Sequence, residues 1–359
     1  MAKLLKNIYN EQYLNLLSDT LLLVKSDFRK DDFLKKIFDK DWEKRELKQR
    51  MRHISQNLGS FLPHSYEEVI IILMEVFSKL PPQYNLENMI FQDFVEVYGL
   101  EDFDVSMKAL EHFTVESSSE FAIRQFILKY PDKSMIQIKK WAKSTHLDVR
   151  RLASEGCRPR LPWAISLPYF IRNPKKVLEI LDVLKDDESS YVRTSVANNL
   201  NDISKDNPLM FKKTVKHWIG VSQKRDMLLK QGCRTLLKEG DKEVLEFFGF
   251  KNKEITLRTF TCKEIVEDKG DLIFSFTIES YKNLGKLRIE YAITFVRMHG
   301  KNNKKVFKIS EGDYEEKSKT FKKLYSFKPI STRKYYPGVH YIEIIVNGII
   351  VGKKSFILR

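Results

Sequence analysis

Residues 148–164, DVRRLASEGCRPRLPWA, bring together Arg150, Arg151, Glu155, Arg158, Arg160 and Trp163. The stretch opens as an amphipathic helix, with Val149, Leu152 and Ala153 at helical spacing. Gly156 ends that helix, and Pro159 and Pro162 forbid its continuation. Four arginines, a carboxylate and a tryptophan at one helix end are costly to place unless they face a charged ligand. The plain alternative is a basic, solvated helix and loop whose tryptophan plugs the core.

The elements around this stretch are helical up to about residue 250. Leu14, Leu17, Leu21 and Val24 recur at helical spacing, as do Phe33, Ile37 and Phe38. A run from Tyr66 to Leu80 is apolar on most faces and stops at Pro81-Pro82, which predicts a buried helix. FAIRQFILKYPDKSMIQIKKWAKST predicts a helix, a proline break and a second helix. DVRRLASEG and YVRTSVANNLNDISKD each open on a β-branched residue followed by Arg, and Val149 and Val192 stand 43 residues apart. That step suits HEAT-type helical pairs, which stack into a solenoid with an extended concave face. Trp141 and Trp218 fall on apolar helical faces and are expected in the core.

From about residue 251 the apolar period changes to two. Leu272, Phe274, Phe276 and Ile278 alternate with polar positions, as do Leu287, Ile289, Tyr291, Ile293 and Phe295. Ile255–Thr261, Val306–Ile309, Phe321–Phe327 and Tyr341–Val346 read as further strands, and Asn347-Gly348 as the turn of a hairpin. About seven short strands in roughly 105 residues fit an immunoglobulin-like sandwich. The expected organisation is a mainly α chain, with a HEAT-like α-solenoid over 1–250 followed by an all-β sandwich over 251–359.

Composition narrows the chemistry. Of the net charge of +15, residues 251–359 supply +11, from 23 basic and 12 acidic residues, and residues 120–176 hold 13 basic against 4 acidic. A basic block and a basic C-terminal domain are the footprint of a polyanion partner, nucleic acid first and an acidic protein second. Cys157, Cys233 and Cys262 are far apart and form no CxxC or Cys/His cluster, which argues against a disulfide framework or a zinc site. The seven histidines, His299 among them, are scattered without an HExxH or triad context, and there is no glycine-rich phosphate loop. The N-terminus is charged almost at once, and no apolar run approaches membrane-spanning length. A reduced, cytoplasmic protein is the expectation.

DVRRLASEGCRPRLPWA closely resembles the signature of the AlkC branch of the DNA alkylation-repair glycosylases, a HEAT-like superfamily that also includes AlkD. The segments YGLEDFDVSMKALEHFTVESSSEFAIRQFILKYPD and YVRTSVANNLNDISKDNP look like the same branch, so the resemblance covers most of 60–240. The resemblance implies excision of small cationic N3-methylated bases, 3-methyladenine above all and 3-methylcytosine besides, from duplex DNA, without metal or other cofactor. It also implies a site formed by Glu120, Arg151, Glu155, Trp163 and Asp202. The expected partner is double-stranded DNA carrying alkylated bases, met by a monomer at the nucleoid and at no membrane. The alternative is a non-enzymatic HEAT-like scaffold that binds damaged or branched nucleic acid.

An N3-alkylated base is already positive and leaves without a general acid, so the protein must stabilise an oxocarbenium-like sugar and position water on it. Carboxylates do both. Glu155 and Asp202 are the first candidates, with Glu120 close behind. Trp163 would stack on the cationic base. Arg150, Arg151, Arg158, Arg160 and Arg193, with Lys304 and Lys305 of the C-terminal domain, would hold the DNA backbone around the lesion. Each has a structural alternative. Glu120 follows three serines like part of a helix cap, Glu155 is one turn from Arg151, and Asp202 lies near a helix end where backbone groups need partners. Lys301, Lys304, Lys305, Lys322 and Lys323 are equally the lysines that edge strands carry against aggregation.

Overall fold

The switch from helical to alternating periodicity near residue 251 separates the helices from the strands but does not coincide with the division into compact units. In a computed structural model, which describes residues 4–251, 254–298, 302–329 and 334–359, sixteen α-helices precede eight strands. His299 and Lys301 lie outside the described residues. By backbone contacts the chain forms two compact units. One runs through Pro208 and takes in Gly220–Gly232; the other holds Leu209–Ile219 and everything from Cys233 onward.

The helical unit is a solenoid-like array of short helices. Pro131 starts the helix Pro131–Trp141 directly after Ile123–Lys129, because a ring that cannot donate is tolerated at a helix start. The helix Tyr66–Lys79 departs from the expected all-round burial. Val69, Ile70, Leu73 and Val76 are buried, whereas Ile71 is 63% exposed. One apolar stripe suffices against its neighbours, and the β-branched run extends beyond it.

Helices Leu147–Gly156 and Ser190–Asp206 pack together, with Gln223–Gly232 against the second. Val149 and Val192 are both buried, and the arginine after each does the same job. Arg150 Nη1 donates to the carbonyls of Ser144 and Thr145 at 3.0 and 2.9 Å. Arg193 Nη1 donates to those of Asp187 and Glu188 at 2.5 and 2.8 Å. Each arginine thus ties the turn before its own helix, five and six residues back, and the repeat is visible atom by atom. Gly156 closes its helix without a left-handed residue. A Cβ there would lie 2.8 Å from Ile123 Cγ2, so glycine lets the helix Ile123–Lys129 approach.

The second unit carries a two-sheet sandwich. The strands are β1 Thr256–Cys262, β2 Ile265–Val266, β3 Asp271–Glu279, β4 Gly285–Phe295, β5 Asn303–Tyr314, β6 Ser318–Ser326, β7 Gly338–Val346 and β8 Ile349–Leu358. One sheet has the order β1-β3-β6, the other β2-β8-β7-β4-β5. Leu272, Phe274, Phe276 and Ile278 meet Leu287, Ile289, Tyr291 and Ile293 in the core between them. Asn347 (φ 47°) and Gly348 (φ 80°) turn β7 into β8 with both residues in the left-handed region, the geometry an Asn-Gly hairpin favours. Strand β5 is longer than the expected Val306–Ile309, because Lys and Glu on its half-exposed faces mask the alternation. Trp141 and Trp218 are buried as their apolar settings require.

Candidate functional site

A cleft of about 770 Å³ opens in the helical unit, beside the C-terminal half of Leu147–Gly156 and the start of Ser190–Asp206. Its wall includes Glu116, Glu120, Asp148, Glu155, Arg151, Arg158, Trp163 and Tyr191. Four carboxylates therefore face two guanidiniums, and the cleft is acidic within a chain of net charge +15.

Two ion-pair assemblies build it. In the first, Arg151 Nη1 donates to Glu120 Oε2 at 2.5 Å and to Ser118 Oγ at 2.7 Å, and Nη2 reaches Glu120 Oε1 at 3.2 Å. The Arg151 guanidinium lies 5.3 Å from the Tyr191 ring centre. Burial lifts the Glu120 carboxyl above its ordinary range despite Arg151 against it. In the second, Arg158 Nη1 donates to Glu155 Oε1 at 2.6 Å, and its Nε donates to Asp202 Oδ2 at 2.8 Å. Ser195 Oγ donates to the other oxygen of Glu155 at 2.6 Å. Glu155, Arg158 and Asp202 are all buried.

This geometry redistributes several expected roles. Glu120, Glu155, Arg151 and Trp163 come together on one cleft. Glu120 pairs with Arg151 rather than capping a helix, and Glu155 pairs with Arg158 rather than Arg151. Asp202 is absent from the cleft wall. It sits behind Arg158, with Lys205 Nζ 3.5 Å away, which suits it to orient Arg158 rather than to touch a substrate. Arg158 itself is expected at a phosphate, but it is 6% exposed and bridges two carboxylates. Arg150 and Arg193 make internal contacts as well. Both tie turns as described, and Arg150 also grips Asp187 through Nε and Nη2 at 2.6 and 3.1 Å. Arg160 is exposed at the surface, with a bidentate hold on Asp206 at 2.7 and 2.8 Å. In the other unit, Lys304 lies at the β5 surface with its ammonium 2.5 Å from Glu343, and Lys305 is half-buried beside it.

Trp163 is the clearest departure from a core residue. It is 73% exposed and holds a left-handed backbone (φ 63°), a conformation a bulky side chain adopts only at a cost of about 1–3 kcal/mol. The loop that carries it is threaded by Arg124, which sequence reasoning passes over. Fully buried on the helix Ile123–Lys129, Arg124 donates to the carbonyls of Gly156 (3.2 Å), Arg158 (2.8 Å) and Ile165 (2.7 Å). Burial lowers its guanidinium to about 10. An arginine inside the apolar run AIRQFIL is the signal that marks it, since such a charge needs built partners. Tyr191 and Ser195 are missed because their neighbours are set only by the packing of the two repeats.

Residues 256–359 match the family described as "Uncharacterised protein YhaZ, C-terminal Ig-like domain". Over 356 residues the chain is 43% identical to "Uncharacterized protein YhaZ" of Bacillus subtilis (strain 168), with 98% of each covered. The fold superposes on the Pseudomonas fluorescens alkylpurine DNA glycosylase AlkC, solved bound to DNA containing an abasic site analog. The TM-score is 0.94 at 31% identity, over 99% of this chain and 100% of that one. The chain belongs to the AlkC family. Its C-terminal sandwich is thereby an Ig-like domain. Among the described residues no helix is long and apolar enough to cross a membrane.

Proposed function

We propose that the chain is a DNA glycosylase that removes small cationic N3-methylated bases, 3-methyladenine and 3-methylcytosine, from duplex DNA. The observation that carries this is the acidic cleft in a basic protein. Four carboxylates against two arginines, beside an exposed tryptophan, suit a positively charged aromatic ligand brought in on a polyanion. Heterolysis of the N-glycosidic bond returns its electron pair to the cationic base, which departs neutral. The positive charge passes to the sugar as an oxocarbenium-like centre. Glu120 and Glu155 face that charge, water adds to the anomeric carbon, and a carboxylate receives the proton. No cofactor enters this scheme.

Asp202 supports the reaction at one remove, through the Arg158 bridge that fixes Glu155. Arg160 and the Ig-like domain's Lys304 and Lys305 are assigned to the DNA backbone, where they add affinity without reading sequence. We take the active form to be a monomer in the cytoplasm, associated with the nucleoid. A scaffold that bound the backbone alone would lay out free arginines. Here Arg150, Arg158 and Arg193 serve internal contacts, while the cleft displays carboxylates.

The test is single-turnover release of 3-methyladenine from methylated duplex DNA by the wild type and by Glu155→Gln. Release by the wild type, with a loss of about a hundredfold or more in the variant and DNA binding retained, is expected. Tight DNA binding with no release of any N3-methylated base would replace this reading with the scaffold.

A further inference from the structure

Trp163 is held by its peptide, and one of the holding groups comes from the far N-terminal part of the helical unit. Lys48, in the first turn of the helix Leu47–Phe61, lies 115 residues earlier in the chain. Its ammonium donates to the Trp163 carbonyl and stands 4.0 Å over the centre of the Phe121 ring. Lys48, Phe121 and Trp163 line a second, small cleft of about 150 Å³ together with Arg52, Asp93 and Glu96. Phe121 and Trp163 also line the large cleft, so these two aromatics form the partition between the spaces. An ordinary surface lysine would seek the carboxylates. Asp93 and Glu96 are instead paired with Arg52, at 2.9 and 2.5 Å, while Lys48 holds the carbonyl and the ring. Burial draws the Lys48 ammonium below its usual range, with the two carboxylates opposing. Two residues beyond Trp163, Arg124 grips the Ile165 carbonyl from the buried side. The loop that carries Trp163 is therefore held by cations of two different helices, Lys48 at the Trp163 carbonyl and Arg124 at the Ile165 carbonyl.

We propose that Lys48 is a positioning residue, which fixes the strained Trp163 peptide so that the indole stands out of the partition at the lesion position of the duplex. This rests on reading the large cleft as the lesion site. Lys48 touches neither a reacting atom nor a catalytic carboxylate; it acts through Trp163.

The test is a double-mutant cycle on the full chain with Lys48→Met, Trp163→Ala and both together. Affinity is measured for a duplex holding a tetrahydrofuran abasic-site analogue and for the same duplex unmodified. Lys48→Met is expected to weaken the abasic duplex about tenfold, the scale of one lost charge-assisted hydrogen bond, and the unmodified duplex far less. Lys48→Arg should restore most of the loss, since a guanidinium can donate to the same carbonyl over the same ring. The double variant should bind no worse than Trp163→Ala alone. Acrylamide quenching supplies a reading independent of DNA. Trp42, Trp141 and Trp218 are 5%, 1% and 4% exposed, so quenching reports Trp163, and Lys48→Met should increase it. Losses that add to those of Trp163→Ala, or that are equal on both duplexes, would make Lys48 a simple backbone cation and overturn the proposal. Unchanged quenching would overturn it too. A wild type with no preference for the abasic duplex would sink the lesion reading, and quenching would then decide on the brace alone.

Discussion

Replacing Arg158 with Met tests whether the buried bridge holds the site together. The guanidinium is 6% exposed and spends Nη1 on Glu155 at 2.6 Å and Nε on Asp202 at 2.8 Å. Methionine fills part of the volume but leaves two buried carboxylates facing one another. Glu155 would keep Ser195, and Asp202 would keep Lys205 at 3.5 Å. Removing one partner of a buried pair costs about 3–5 kcal/mol. Water from the cleft side relieves some of this at Glu155 but not at Asp202, so about 4 kcal/mol is the expected loss. For a unit of this size each kcal/mol lowers the melting temperature by about 2–4 °C, so the shift should be roughly 8–16 °C. The assay is thermal unfolding followed by circular dichroism at the helical minimum, at neutral pH. The control is the triple variant Arg158→Met, Glu155→Gln, Asp202→Asn, which removes the stranded charges and should regain at least half the loss. A melting temperature within about 3 °C of wild type for Arg158→Met would refute the reasoning, because it would mean the carboxylates had found water or protons at little cost.

Three further outcomes follow from the geometry. Burial raises the Glu120 carboxyl, so the ionised form that steadies a cationic transition state accumulates only above the ordinary carboxylate value of about 4.3. The single-turnover rate should therefore fall on the acid side at a higher pH than an exposed glutamate would give, and Glu120→Gln should flatten that limb. An acid limb unchanged in Glu120→Gln would remove this residue from the chemistry. Gly156→Ala should destabilise the helical unit by about 1–3 kcal/mol, because the new Cβ meets Ile123 Cγ2 at 2.8 Å; a melt equal to wild type would show that the two helices can separate freely. Asn347→Ala should cost the Ig-like domain about 1–3 kcal/mol in urea unfolding. It deletes an acceptor for Arg288 N–H (2.8 Å) and a donor to the Lys251 carbonyl (2.8 Å) at a left-handed position; an unchanged midpoint would count against it.

Much of this protein follows from local chemistry. The helical period up to Phe247, the alternation from Thr256 onward and the Asn347-Gly348 hairpin are all readable because each depends on residues within a turn or two. The 43-residue step from Val149 to Val192 is legible for the same reason, as is the concentration of charge at 148–164. Tertiary structure alone decides what those charges face. Glu155 and Arg151 are neighbours on one helix, yet each finds its partner elsewhere: Arg158 across a helix end, and Glu120 some thirty residues earlier. Arg150 and Arg193 carry the same charge as Arg160, but the turns before their helices present bare carbonyls at the right distance and absorb them. Asp202 moves behind Arg158 because its helix packs with that face inward. Charge and period are properties of a segment, whereas the partner of a buried charge is set by which helices meet. Sequence therefore shows where charge is concentrated on the chain, and packing chose which of those charges remain on the cleft.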